Sequence, residues 1–196
     1  MRRVTVYSLT LISLLLEACT TTTTQPLTTF TPQREVSITE PNMSLNLTSD
    51  AFVNGQSIPA KYACTGRNIS PALTWNEPPA GTQSLALIMD DPDAPMGTWV
   101  HWVLFNIPAE ARSLQEDLPV TGKNVEPSAI YVGKNSSGNT RYDGPCPPGG
   151  THRYYFRLYA LDTIMSLSPG ATKEQVLKET EGHILAQGEL MGTFSK

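Results

Sequence analysis

Trp99-Val100-His101-Trp102-Val103-Leu104-Phe105-Asn106-Ile107 is a run of aromatic and aliphatic side chains broken by one imidazole and one amide. That composition suits a central strand with little contact to solvent. Working outward, Arg153 to Leu161 (RYYFRLYAL) has the same texture, and Ser84 to Met89 (SLALIM) is a short apolar run that stops at Asp90-Asp91-Pro92-Asp93. Met43, Leu45 and Leu47 alternate with polar residues, the period of a half-buried strand. Proline- and glycine-laden loops lie between, above all Gly133 to Gly150, and no strand–helix–strand repeat occurs, which speaks against a parallel doubly wound sheet. One helix stands out near the end. Thr172 and Gln175 make a capping-box pattern, and Val176, Leu177, Thr180 and Ile184 fall on one face, with Gly182 weakening the last turn. The sequence therefore predicts a mostly β domain, an antiparallel β-sandwich with a C-terminal helix.

The 196 residues are 39% hydrophobic and 16% charged, enough for one domain with its own core and an appendage. The net charge is −4, and no run of Lys or Arg occurs beyond Arg2-Arg3. A nucleic-acid partner needs a basic stripe to release counterions from phosphates, so none is expected.

The start of the chain reads as a targeting segment. A basic head, the apolar run Val4 to Leu16 and then Leu16-Glu17-Ala18-Cys19 resemble a lipobox, in which the cysteine is lipidated. Glu17 departs from the small residue usual there, and an ordinary cleaved signal or an uncleaved anchor is the alternative. The division expected is a lipoprotein signal peptide over residues 1–18, a Thr-rich flexible tether over 19–43 and the domain over 44–196. Thr20 after Cys19 resembles an outer-membrane address, so the expected place is the bacterial cell envelope, lipid-anchored and facing the periplasm. With Cys19 lipidated, Cys64 and Cys146 remain. A bridge between them and two separate buried thiols fit the sequence equally well.

Three places hold polar groups that a plain β-core does not need. Asp90-Asp91-Pro92-Asp93-Ala94-Pro95 gathers three carboxylates in a proline-stiffened turn. His101 lies inside an aromatic strand, where period two puts it on the face of Trp99, Val103 and Phe105. Gly144-Pro145-Cys146-Pro147-Pro148-Gly149-Gly150 leads into His152, Arg153 and Tyr154, with His152 and Tyr154 sharing a face with Phe156 and Leu158. A carboxylate flanked by imidazoles and loop N–H groups makes a polar cup for phosphate-like oxygens. Two histidines and an aspartate also suit a facial metal triad, but no tight metal-ligand spacing is present and no metal or cofactor is expected. A hydrolase needs an activated nucleophile, and neither a GxSxG elbow nor a His-x-x-Glu-His helix is found. His183, on the helix, reads as structural.

These blocks, in this order, resemble the phosphatidylethanolamine-binding family, in particular its bacterial Raf-kinase-inhibitor-like branch. The stretches that carry the resemblance are Asn68 to Trp75, Asp91 to Pro95, His101-Trp102 through Asn106-Ile107-Pro108, and Gly144 to Pro148 with His152-Arg153-Tyr154. The resemblance implies a sandwich of a larger and a smaller sheet with one pocket for phosphate-like anions. Asp91 and Pro95 match the pocket turn, His101 the strand histidine with Trp99 beside it, Gly144 and Pro145 the pocket loop, and His152 and Tyr154 the strand that follows. The chain is shorter than eukaryotic members between Pro95 and His101, and His101 follows Val100 where they often place a second histidine. The function expected is that of a non-enzymatic binding protein for a small anionic ligand. The alternative is an inhibitor or scaffold of a partner protein.

Overall fold

The computed structural model describes residues 44–119 and 130–196. The signal peptide and tether expected over residues 1–43, with Cys19 and Met43, lie outside the described residues.

Among the described residues, seven strands and one α-helix follow in the order β1 (Leu73–Thr74), β2 (Ser84–Asp91), β3 (Trp99–Pro108), β4 (Ser113–Leu114), β5 (Tyr131–Val132), β6 (Thr151–Leu161), α1 (Lys173–Thr180) and β7 (Ile184–Ser195). Five of them form an antiparallel sheet in the order β5-β3-β2-β6-β7, and β1 pairs with β4 in a smaller one. The architecture is the mostly β, antiparallel one that the sequence predicts.

β2 explains why. It lies at the centre of the larger sheet and every one of its residues is buried. Leu85, Leu87 and Met89 face one core with Trp102, Leu104, Phe156 and Leu158, which the small sheet joins through Leu73 and Leu114. Ala86 and Ile88 face a second core with Val103, Phe105 and Val176 of α1. A strand covered on both faces has no polar side to alternate, hence the continuous run Ser84 to Met89. β6 does alternate: His152, Tyr154, Phe156, Leu158 and Ala160 point inward, and the residues between them lie nearer solvent.

α1 begins as its capping box specifies, with Thr172 N–H donating to Gln175 Oε1 at 2.9 Å and Gln175 N–H donating back to Thr172 Oγ1. It ends at Thr180, sooner than the periodicity suggests. Gly182 takes a φ of +79°, a turn that stops the helix, and Ile184 opens β7 with its side chain 43% exposed. Ile184 is therefore not on the helix face, and a twelve-residue strand follows the helix. His183 also lies past the helix, its Nδ1 2.7 Å from Asp162 Oδ1 at the surface. Leu45 and Leu47 are buried as their alternation predicts, but the segment makes only single bridges, Ser44 to Gln187 and Thr48 to Thr74. It packs directly over Gly188, where a Cβ would stand 2.0 Å from the Leu45 carbonyl oxygen.

Cys64 and Cys146 are joined in a disulfide with Cα atoms 5.4 Å apart, which decides between the bridge and two separate thiols. It spans 82 residues of sequence, so by loop entropy alone it stabilises the fold by up to about 4.5 kcal/mol. A Cys64→Ala, Cys146→Ala variant of the domain is expected to lose a stability of that order in urea unfolding. An unchanged midpoint would contradict the estimate.

Candidate functional site

One end of the larger sheet opens into a cavity of about 500 Å³. Its floor comes from Asp91 at the end of β2, His101 in β3 and His152 in β6, with Asp143 beside them. The rim is apolar: Ala94, Pro95, Met96 and Trp99 on one side, the Cys64–Cys146 disulfide with Pro147 and Pro148 on the other.

A β-bulge aims His101. Met89 pairs with Trp102 and Asp90 with Val100, so one residue of β2's ladder is missing opposite His101. The extra residue shifts the face of the strand. Trp99, opposite Asp91, looks into the cavity, and His101 turns to the same side. Val103 and Phe105 belong to the opposite core. The period-two expectation that His101 shares a face with Val103 and Phe105 is thus corrected: strict alternation does not survive a bulge.

The second histidine is placed by a carboxylate. His152 Nδ1 lies 2.7 Å from Asp91 Oδ2, with both side chains more than nine-tenths buried. The other oxygen of Asp91 accepts from Asp93 N–H at 2.8 Å, closing the turn. His101 Nδ1 lies 2.7 Å from the carbonyl oxygen of Asp143, and Asp143 N–H donates to His101 O at 3.1 Å.

The three carboxylates of the Asp90–Asp93 run do not converge. Asp90 points to the opposite face, where Arg157 Nη1 at 2.7 Å and Lys173 Nζ pair with it. Asp93 is clamped by Arg153: Nε and the backbone N–H both donate at 2.9 Å to Oδ2, and Nη2 to Oδ1 at 2.6 Å. Arg153, first by its side-chain hydrogen bonds, holds the Asp93 carboxyl at about 2, below its usual range. Only Asp91 reaches the cavity, and Asp93 fastens the turn to β6.

The loop before β6 is fitted tightly. Gly144 N–H donates to Asn68 Oδ1 at 2.7 Å, and a Cβ on Gly144 would stand 2.1 Å from the Tyr62 carbonyl oxygen, so only glycine fits. Tyr142 Oη–H donates to Tyr62 O at 2.9 Å, and Cys64 N–H to Pro145 O at 3.1 Å.

Of the residues singled out in the sequence, Asp91, Pro95, Trp99, His101, Gly144 and His152 line the cavity together. Pro145 and Tyr154 stand behind its surface. Pro145 holds the loop through its carbonyl, and Tyr154 is fully buried with its ring edge-on to His101 at 5.2 Å between centroids. Burial, with Asp91 close by, pushes the Tyr154 hydroxyl well above its ordinary value, yet it makes no hydrogen bond of regular geometry. Sequence reading missed Asn68, Met96, Ser137 and Asp143 as lining residues. Asn68 carried one signal in its residue type, since Asn tolerates the left-handed backbone that it takes here with φ +56°. Asp143 and Met96 carried none.

A family model described as phosphatidylethanolamine-binding protein matches residues 48–195. The chain belongs to the phosphatidylethanolamine-binding protein family. Within it, the chain is 50% identical over 152 residues to a UPF0098 protein of Methanothermobacter thermautotrophicus, covering 78% of this chain and 99% of that protein. It is 46% identical over 151 residues to a UPF0098 protein of Aquifex aeolicus, covering 76% of this chain and 86% of that one. Among solved structures, the phosphatidylethanolamine-binding protein homolog CT736 of Chlamydia trachomatis superposes with a TM-score of 0.71 at 42% identity, over 78% of this chain and 98% of that one. Escherichia coli YBCL, described as a member of the mammalian family, gives 0.72 at 29%, over 79% and 99%.

In this phosphatidylethanolamine-binding family member, burial lowers the affinity of His101 for a proton, against the pull of the Asp143 carbonyl and of Asp91, Asp143 and Asp90. Unfolding releases His101 to its ordinary value of 6.5, so below about that pH the unfolded chain binds the extra proton. The unliganded domain is therefore expected to lose stability as pH falls below about 6.5, and His101→Gln to lose less over the same window. Urea midpoints from pH 7.5 to 5 measure this; equal slopes for the two proteins would refute the assignment.

Proposed function

We propose that this chain is a non-enzymatic binding protein whose pocket takes a small phosphate-type anion, held at the bacterial envelope by a lipid on Cys19. One observation carries the first part. Two imidazoles, each anchored through Nδ1 by an acceptor 2.7 Å away, line a single open cavity and make no hydrogen bond from Nε2 among the described residues. A histidine fixed at one nitrogen and open at the other presents a directed polar atom at little conformational cost. The stiff surroundings add to this: the disulfide, the prolines of the rim and the Gly144–Asn68 hydrogen bond leave the pocket little to reorganise on binding. Family membership supports the reading as well.

Calorimetric titration of the domain with phosphate and with phosphoethanolamine tests it. Saturable binding is expected, weakened about a hundredfold in the His101→Ala, His152→Ala variant if each charge-assisted hydrogen bond contributes about 1.5 kcal/mol. Absence of saturable binding between pH 5 and 8 would overturn the anion reading and favour an inhibitor or scaffold of a partner protein.

The anchoring part rests on Leu16-Glu17-Ala18-Cys19 behind a basic, apolar start, and on the Thr-rich segment that follows. Full-length chain expressed in a Gram-negative host is expected to incorporate labelled palmitate and to sediment with the outer membrane. Cys19→Ser should abolish the label. A label that survives, or a soluble wild-type chain, would refute lipidation at Cys19.

A further inference from the structure

The cavity is fastened in two different ways. Its floor is held by hydrogen bonds: His152 to Asp91, Asp91 to the Asp93 N–H, and His101 to the Asp143 carbonyl. The side formed by Cys146, Pro147 and Pro148 is not. Cys64 N–H reaches the Pro145 carbonyl at 3.1 Å, and β6 takes up the chain again at Thr151. Between these points, residues 146–150 make no hydrogen bond of regular geometry among the described residues. Two of these five residues are prolines, which have no N–H to give. A Cβ on Gly149 or Gly150 would meet nothing within 4 Å, so the stretch has open space beside it. Beyond the packing of the buried Pro147, what holds this wall is the Cys64–Cys146 bond.

The other end of that bond is firm. Cys64 follows a short 3-10 turn, Ala60–Tyr62, whose buried Tyr62 donates through its hydroxyl to Glu116 Oε2 at 2.7 Å and accepts at its carbonyl from Tyr142. The disulfide therefore ties a loosely held wall to a fixed post. Both cysteines are exposed, and both line the cavity, so a small solute reaches the bridge from solvent. Exposed disulfides are the ones that exchange readily with thiols, whereas buried structural ones resist.

We propose that the Cys64–Cys146 disulfide is a thiol-exchange site that latches the pocket wall, so that its reduction by a small dithiol frees residues 146–150 and weakens anion binding. The binding half of this rests on the anion reading above. A thiolate of the dithiol attacks one cysteine sulfur; the Cys64–Cys146 bond breaks, a mixed disulfide forms, and the other cysteine leaves as thiolate. The second thiol of the reductant then displaces the first cysteine. The reductant ends as its own disulfide, having passed two electrons and, through solvent, two protons to the cysteine pair. The floor keeps its own fastenings, and Gly144 keeps its hydrogen bond to Asn68, so the reduced chain retains a pocket with one wall free. Refixing one residue of that wall when a ligand binds costs about a factor of ten in affinity.

The experiment uses the full chain carrying Cys19→Ser, in which the bridge holds the remaining cysteines, with dithiothreitol as the dithiol. Inorganic phosphate is titrated by calorimetry at pH 7.5 before reduction, after it, and after reoxidation. The expected result is release of both thiols without denaturant, a native circular dichroism spectrum throughout, and phosphate bound about tenfold more weakly until the bridge re-forms. A Cys64→Ser, Cys146→Ser variant should match the reduced chain. Equal phosphate affinity in the oxidised and reduced chains overturns the proposal while leaving an anion pocket in place. So does a bridge that opens only in denaturant, or a loss of native dichroism on reduction, since the bond is then a staple of the whole fold. An oxidised chain that binds no phosphate at any pH from 5 to 8 overturns the anion reading itself.

Discussion

The hydrogen bond from His152 Nδ1 to Asp91 Oδ2 joins the last residue of the central strand to the start of its neighbour β6, and the site is arranged about it. Asp91 is buried, and a buried carboxylate is tolerable only with its oxygens satisfied. One oxygen takes the imidazole and the other the N–H of Asp93. The second bond bends the chain out of β2, and the Arg153 clamp on Asp93 fixes the direction of that bend. Pro95, Met96 and Trp99 are thereby set on the rim above the histidines. A single satisfied carboxylate thus fixes the tautomer of one histidine, the path of one loop and the position of half the mouth.

Most of the fold was legible because it depends on periodicity and composition. A strand buried on both faces must be continuously apolar, and Ser84 to Met89 is; a strand with one inner face must alternate, and Arg153 to Leu161 does. The misreadings have one physical origin. Periodicity extrapolates through features that cost a single residue. The bulge at His101 adds a residue to β3 and moves Val103 and Phe105 to the other face. Gly182, with positive φ, ends α1 and hands Ile184 to β7. The bulge leaves no signature in hydrophobicity, since the residues on either side of His101 are as apolar as a regular strand would need, whereas Gly182 was legible only as a weak point in the last turn.

The site was legible in part for a different reason. Histidines in an aromatic strand and prolines around a glycine are rare enough to notice. What could not be read was which polar groups are occupied with each other. Asp90 and Asp91 are adjacent and chemically identical, but the pleat sends one to Arg157 and Lys173 and the other to the cavity. The pairing of Asp93 with Arg153 and of Gly144 with Asn68 joins residues about sixty and seventy-six positions apart, and such pairs have no local pattern. Sequence, which expected loop N–H groups beside one carboxylate, therefore overstated the number of free backbone donors.

That overstatement matters for mechanism. A cup of free loop N–H groups would present donors from the backbone itself. The structure has one inward carboxylate, tied to an imidazole, and a glycine N–H already donated. Rigidity makes the consequence binding on the ligand. Gly144 cannot rotate its N–H into the cavity without breaking a 2.7 Å hydrogen bond, in a segment closed by a disulfide and with no room for even a methyl group. His101 likewise cannot exchange the role of its two nitrogens while the Asp143 carbonyl faces Nδ1. A loose pocket would adapt its donors to whatever anion arrived. This one holds both imidazoles by Nδ1, so whatever enters must fit rings whose orientation is already set.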